Sequence, residues 1–384
     1  MLLITVARIF SLLRQTLLPT PFPGVFRYLQ RLLVLLVFLP VLLLLQVMHW
    51  LGFLLDEILF RGYRDIDVKE PVFVLGVPRS GTTFMHRLLA HYEGFTTFTT
   101  WECFLAPSIA ERYLWLTLGA LDRRVGRPFG RLLGWVERRL FGWLDDVHPM
   151  SFAAPEEDYF ALLPVLSCFI LIVPFPEADW LWRLGRFDRD ASPEERERLL
   201  RWYRRCLQKH LYVRGRDKVL LSKNASFAGM AGSLVDEFPD CRLIVCERDA
   251  LAVIHSQFNS LKGGMRLFGV SENDLRFKNN LLDCLKFYYE NLDEISARHP
   301  ERHVHRVPLW SLSTEPRSVM TVIAERMSLQ IPPALDAELT AYEAARKPGP
   351  RPAVTGRVLA GWGFDADELG RRFSAWRHDE GLRI

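Results

Sequence analysis

PVFVLGVPRSGTTFMHRLLA, residues 71–90, changes its hydrophobic period halfway along. PVFVLG (71–76) is an unbroken apolar run of strand length, whereas Thr82–Ala90 carries apolar residues at helical spacing. Gly76 and Gly81 bound the turn between them, so the stretch reads as strand, glycine turn and helix. The same alternation recurs downstream, where KVLLSK (218–223), CRLIVCE (241–247) and HVHRVP (303–308) read as further strands, each followed by a helical segment. Alternating strands and helices predict an α/β fold with a parallel sheet flanked by crossover helices. Residues 105–215 are expected to form a helical insertion within one α/β domain covering 70–384. KPGPRPAVTGR (347–357) reads as a basic, glycine- and proline-rich loop.

The turn itself carries chemistry. Gly76-Val77-Pro78-Arg79-Ser80-Gly81-Thr82-Thr83 has the spacing of a P-loop, G-x-x-x-x-G-K-[ST], with Thr82 where the lysine belongs. A glycine turn opening a helix still directs backbone N–H groups and the helix N-terminus at an anion. What is lost is the cation that reaches the β- and γ-phosphates of a nucleoside triphosphate. Arg79 puts a positive charge inside the loop instead, which suits a donor with a single 5′-phosphate bearing a transferable group.

The loop resembles the 5′-phosphosulfate loop, P-[KR]-S-G-T-T, of sulfotransferases that use 3′-phosphoadenosine 5′-phosphosulfate (PAPS). Its Arg-Ser-Gly-Thr-Thr form is closest to the bacterial and Golgi-type branch. The resemblance implies a second element, an arginine at a later strand end followed eight residues on by a serine. Arg248 and Ser256 supply it, although Arg248-Asp249-Ala250 replaces the family's usual R-D-P. In that family the pair binds the 3′-phosphate, and an arginine can fork onto a phosphate that a serine shares. The resemblance therefore assigns Arg79, Ser80, Gly81, Thr82, Thr83, Arg248 and Ser256 to PAPS, with no metal required. It also implies that Lys223, in LSKNAS (221–226), stabilises the leaving phosphate together with Arg79.

Sulfonyl transfer needs a base for the acceptor. By resemblance Glu102, in Thr100-Trp101-Glu102-Cys103, occupies the base's place after the loop helix. His148 and the Pro155-Glu156-Glu157-Asp158 block, with Glu156 and Glu157, are expected near the acceptor, and His148 and Glu157 are the next candidates for the base. His86, His91 and His255 read as packing or surface residues. Two other readings stand beside this one. A P-loop nucleotide kinase or phosphotransferase would need the missing lysine, and an inactive membrane-anchored binding protein would not need Arg79, Glu102, Lys223, Arg248 and Ser256 together.

Composition narrows the partners. The 384 residues are 49% hydrophobic and carry a net charge of only +4, so neither disorder nor nucleic-acid binding is favoured. Arginine far outnumbers lysine among the 49 basic residues, in keeping with a bacterial, GC-rich source. The six cysteines show no CxxC and no metal spacing, which fits a reducing compartment. Leu32–Leu55, LLVLLVFLPVLLLLQVMHWLGFLL, is uncharged and long enough to cross a bilayer. Residues 1–69 are thus expected to be a membrane-associated region. Arg8, Arg14, Arg27 and Arg31 precede the run, and Pro40 is expected to divide it into interfacial pieces or a shallow hairpin. The expectation is an enzyme on the bacterial inner membrane with a cytosolic catalytic domain, acting on a small-molecule or lipid acceptor; the alternative is a lumenal Golgi enzyme.

Overall fold

A computed structural model describes residues 1–141 except Pro21 and Pro23, together with 152, 154–299, 305–345, 359 and 361–377. Five parallel strands form one sheet in the order β2-β3-β1-β4-β5. They are β1 (Val72–Gly76), β2 (Phe95–Thr96), β3 (Val219–Lys223), β4 (Arg242–Glu247) and β5 (His305–Pro308). Four of these coincide with the strand segments read from the sequence. The two-residue edge strand β2 has no such run, being too short to display a period.

Alternate residues of a strand face opposite sides, and here both sides are buried, as a parallel sheet requires. Phe73, Leu75, Leu243 and Val245 join one core cluster, while Val72, Val74, Leu221 and Ile244 join a second. Helices α3 (Thr82–Leu89), α14 (Pro316–Arg326) and α15 (Pro333–Ala345) bury Met85, Met320 and Leu335 against the second cluster. Helices α9 (Pro193–Arg214), α10 (Ala231–Glu237), α11 (Ala250–Leu267) and α12 (Leu275–Arg298) cover the first, through Leu207, Leu234, Ile254 and Leu285. Between α3 and β3 the described residues form α4 (Thr100–Phe104), α5 (Ile109–Arg124), α6 (Pro128–Phe141), α7 (Asp179–Gly185), α8 (Phe187–Asp190) and α9, with 3₁₀ turns at Asp158–Val165 and Phe169–Ile172. Helix α13 (Leu309–Thr314) follows β5 directly.

The N-terminal region corrects one expectation. Helix α1 (Leu2–Leu17) turns back onto α2 (Val25–Leu59), and α2 runs through Pro40 as one 35-residue helix. Proline lacks only one N–H, and packing of α2 along the domain outweighs that loss. Its buried positions include Arg31, Leu35, Leu42, Gln46, His49, Phe53 and Asp56, which recur at intervals of three, four and seven and so form one face, with Gly52 buried beside Phe53. All six cysteines are buried free thiols.

Candidate functional site

The C-terminal ends of three adjacent strands, β3, β1 and β4, hold Lys223, Arg79 and Arg248 among the charged residues that the sequence singled out. In open parallel sheets this edge is where ligands lie. At the end of β1 the chain turns sharply with Gly76 at φ 155°, Arg79 at φ 69° and Gly81 at φ 94°. A Cβ on Gly76 would fall 2.5 Å from the Cys246 carbonyl oxygen, and one on Gly81 would fall 2.7 Å from Leu309 Cδ1. Both positions therefore require glycine. Arg79 is the strained one, a non-glycine residue in left-handed backbone that directs its side chain outward from the turn.

Arg79 Nε donates to Ser256 Oγ at 3.2 Å, and Arg248 Nη1 donates to the Arg79 carbonyl oxygen at 2.8 Å. Tyr289 OH in turn donates to the Arg248 carbonyl oxygen at 2.8 Å, anchoring the β4 end to α12. Asp249 caps α11 by accepting from the Ala252 N–H at 2.9 Å, which places Ser256 two turns into that helix. Residues 177 positions apart thus meet at one point. Ser80 Oγ is fully buried in the loop with no hydrogen-bond partner among the described residues, and Thr82 is buried beside it at the start of α3 while Thr83 is exposed.

Lys223 ends β3 opposite Val74, with its side chain only 1% exposed. Its Nζ donates to Glu157 Oε1 at 2.9 Å. The next residue along each chain pairs too, because Ser222 Oγ donates to Asp158 Oδ1 at 2.9 Å and Tyr203 OH donates to Asp158 Oδ2. The Pro155–Asp158 segment is thereby strapped across the end of β3. A bridge between Thr99 and Pro155 and the Glu156 N–H bond to the Phe98 carbonyl, 2.9 Å, hold its other side. Glu156 stays on that side, accepting from Thr100 Oγ1 at 3.4 Å and from the Glu157 N–H at 2.9 Å. Burial raises the Asp158 carboxyl to about 7 against the lowering effect of its Tyr203 and Ser222 hydrogen bonds. His86 on α3 is held to about 3 by burial and by the nearby Lys223 charge, so it is neutral, with Nε2 2.7 Å from Thr97 Oγ1.

Glu102 lies in different company. It is fully buried at the third position of α4, where its Oε2 accepts from the Thr99 N–H at 2.9 Å and from Thr99 Oγ1 at 2.7 Å in a capping box. Its Oε1 takes Arg214 Nε at 2.8 Å, with Arg112 Nη1 and His210 Nδ1 each at 3.8 Å. Burial alone would raise its pKa, but Arg112, His210 and Arg214 together outweigh this and hold it at about 2. A carboxylate so engaged is a poor proton acceptor, and this geometry argues against the base role expected of Glu102. Glu157 is the carboxylate that stands on Lys223. The capping pattern Thr99-x-x-Glu102 was the sequence signal for the structural role, and Asp158 was visible only as the last letter of the acidic block. His148 and the 347–357 loop lie outside the described residues.

Cationic side chains, buried hydroxyls and helix-start N–H groups on one strand edge, with a carboxylate beside a buried lysine, can bind a polyanion and accept a proton next to it. A profile of the sulfotransferase family matches residues 71–333. The omega-hydroxy-beta-dihydromenaquinone-9 sulfotransferases Stf3 of Mycobacterium bovis and Mycobacterium tuberculosis are each 27% identical over 213 residues, or 55% of this chain and 50% of theirs. The chain thus spans about half the length of the curated relatives it matches. Among solved structures, sulfotransferase STF9 of Mycobacterium avium superposes with a TM-score of 0.63 at 20% identity, covering 85% of this chain and 80% of that one. Sulfotransferase STF1 of Mycobacterium tuberculosis gives 0.59 at 18%, covering 82% and 79%. These two likenesses are of fold, and the family match spans more than half of the sequence and every strand. The chain belongs to the sulfotransferase family.

Proposed function

We propose that the protein transfers the sulfonate group of PAPS to a hydroxyl or amine of a lipid-like acceptor, working at the cytosolic face of a bacterial membrane. The observation that carries the donor assignment is the meeting of Arg79, Arg248 and Ser256 around a loop whose buried Ser80 hydroxyl has no partner among the described residues. A buried hydroxyl without a partner is costly, and an anion in the loop would satisfy it. The residues fit the donor. Arg79, Ser80, Gly81, Thr82 and Thr83 would hold the 5′-phosphosulfate end, and Arg248 and Ser256 the 3′-phosphate. Bound there, PAPS supplies an activated sulfonate on a bisphosphate leaving group.

Lys223 and Arg79 stabilise negative charge at the donor bridge. Glu157, oriented by Lys223 Nζ, accepts the proton of the acceptor hydroxyl, and Asp158 fixes the strap that carries Glu157. Support for a lipid-like acceptor comes from the name of the Stf3 relatives, which specifies a hydroxylated menaquinone derivative, and from the apolar N-terminal helix α2. Calorimetric titration of the full chain with the 3′,5′-bisphosphate of adenosine, adenosine 5′-phosphosulfate and ATP tests the donor reading. Tightest binding of the bisphosphate is expected, and preference for ATP would overturn it.

A further inference from the structure

Helix α2 is apolar enough to span a bilayer, with a mean hydropathy of 2.6 over its most apolar window. Its polar residues forbid that orientation. Arg31 forks onto Glu177 at 2.6 and 2.8 Å, and Gln46 Nε2 donates to the Leu163 carbonyl at 3.0 Å. His49 Nδ1 lies 2.7 Å from Glu111 Oε1, and Asp56 accepts from the Ile109 and Ala110 N–H groups and from Lys209 Nζ at 2.6 Å. From Arg31 to Asp56 these ties span about 37 Å of helix axis, more than the roughly 30 Å of a hydrocarbon core. A spanning α2 would drag Glu177, Glu111 and Lys209 into lipid or strip them of their partners.

The opposite face of α2 is bare. Leu33, Val37, Leu44 and Leu51 are 57–67% exposed at helical spacing, with no charged residue between Leu32 and Leu55. More exposed apolar side chains lie on the helices packed beside α2. Helix α5 packs on α2, with Phe60 and Tyr113 rings 5.5 Å apart, and exposes Leu114 and Leu121; α6 packs on α5 and exposes Phe129 and Trp135. The α5–α6 turn is fixed by Asp122, which accepts from the Phe129 and Gly130 N–H groups at 2.8 and 2.9 Å. Around that turn Arg123, Arg124, Arg127 and Arg131 are all exposed. Apolar side chains edged by arginines complement hydrocarbon edged by anionic headgroups.

We propose that the protein is monotopic: α2 lies in the plane of an anionic bilayer surface, and α5 and α6 from the catalytic domain dip into the same leaflet. This docking goes beyond the donor and acceptor assignment, and does not depend on PAPS being bound.

Two measurements on the full chain test it. In sedimentation with phosphatidylglycerol-containing vesicles, Leu121→Glu combined with Phe129→Glu should cut binding by at least about tenfold, since two exposed apolar anchors are lost, with an unchanged melting temperature. Binding equal to wild type would overturn the α5–α6 contribution. A detergent-free dimer that ignores vesicles would overturn the proposal and assign the face to a second copy. Topology is read with Thr20→Cys and Asp65→Cys, exposed positions flanking α2 in a chain whose own six thiols are buried. With a membrane-impermeant maleimide on sealed right-side-out spheroplasts, an in-plane α2 gives both sites the same behaviour, and labelling of one alone overturns it. Both silent until lysis supports the cytosolic side as well. Both labelled before lysis leaves docking intact and overturns the cytosolic placement in the proposed function.

Discussion

Glu102 and Glu157 are both carboxylates downstream of the same loop, and their neighbours separate them. Glu157→Gln should lower kcat by roughly 10²–10⁴-fold while leaving bisphosphate affinity near wild type; stopped assays with radiolabelled donor measure this, and wild-type turnover would move the base elsewhere. Glu102→Gln should act on stability, costing about 3 kcal/mol at neutral pH because Arg214 and Arg112 lose their buried counter-charge. The sign with pH follows from its depressed pKa. Folding releases protons between 4.5 and about 2, so the Glu102 contribution is complete above pH 4.5 and fades as pH falls towards 2. Wild-type and Glu102→Gln melting temperatures should therefore converge on acidification. Asp158 has the opposite sign, since its pKa is raised from 3.8 to about 7. Its protonated form is favoured by the fold, so wild type loses stability as pH rises from about 4 to about 7, and Asp158→Asn should gain relative to it over that window and level off above it. At the donor site, Arg248→Ala should weaken bisphosphate binding by about 1.5–3 kcal/mol, with far less effect on adenosine 5′-phosphosulfate; equal losses would refute the 3′-phosphate role. Arg79, Arg248 and Ser256, which the structure brings together, could be singled out from the sequence because a loop and a strand end carry local spacing. The pairing of Glu157 with Lys223 could not, since nothing local ties residue 157 to residue 223.

Elements were legible where they were long and periodic. β1, β3 and β4 are short, mainly apolar and buried runs, and β5 alternates buried and exposed residues. β2 was hidden because two residues display no period. Pro40 misled for a different reason: its local cost to a helix is real, but burial of Leu35, Leu42 and Phe53 on the same face continues α2 across it. That helix is joined to the domain by a cap in trans, as Asp56 accepts from the first N–H groups of α5 while pairing with Lys209. Asp56→Ala should cost about 3–5 kcal/mol because Lys209 is left charged and buried, which a fall in the urea midpoint would report. Retention of the wild-type midpoint would show that α2 is only loosely attached.

At the scale of the molecule, the N-terminal helices are part of the folded body. Leu35 and Leu42 belong to the same core cluster as the sheet's Phe73 and Val245. Removing residues 1–60 should therefore yield insoluble or strongly destabilised protein instead of a soluble enzyme, which gel filtration after expression would show; a monodisperse truncated chain would contradict this. Sequence periodicity identified the apolar run but not its orientation, because spanning and in-plane helices share the same composition and differ only in what their rare polar residues touch. The ties from Arg31 to Asp56 have a kinetic corollary. With α2 docked on a bilayer as proposed, they would keep the strand-edge site at a constant height above it, and collisions with a lipid acceptor would occur in two dimensions. Turnover should then follow the mole fraction of acceptor within the bilayer: diluting it with inert lipid at constant total acceptor should slow the reaction, whereas diluting the whole vesicle suspension at saturating surface should not.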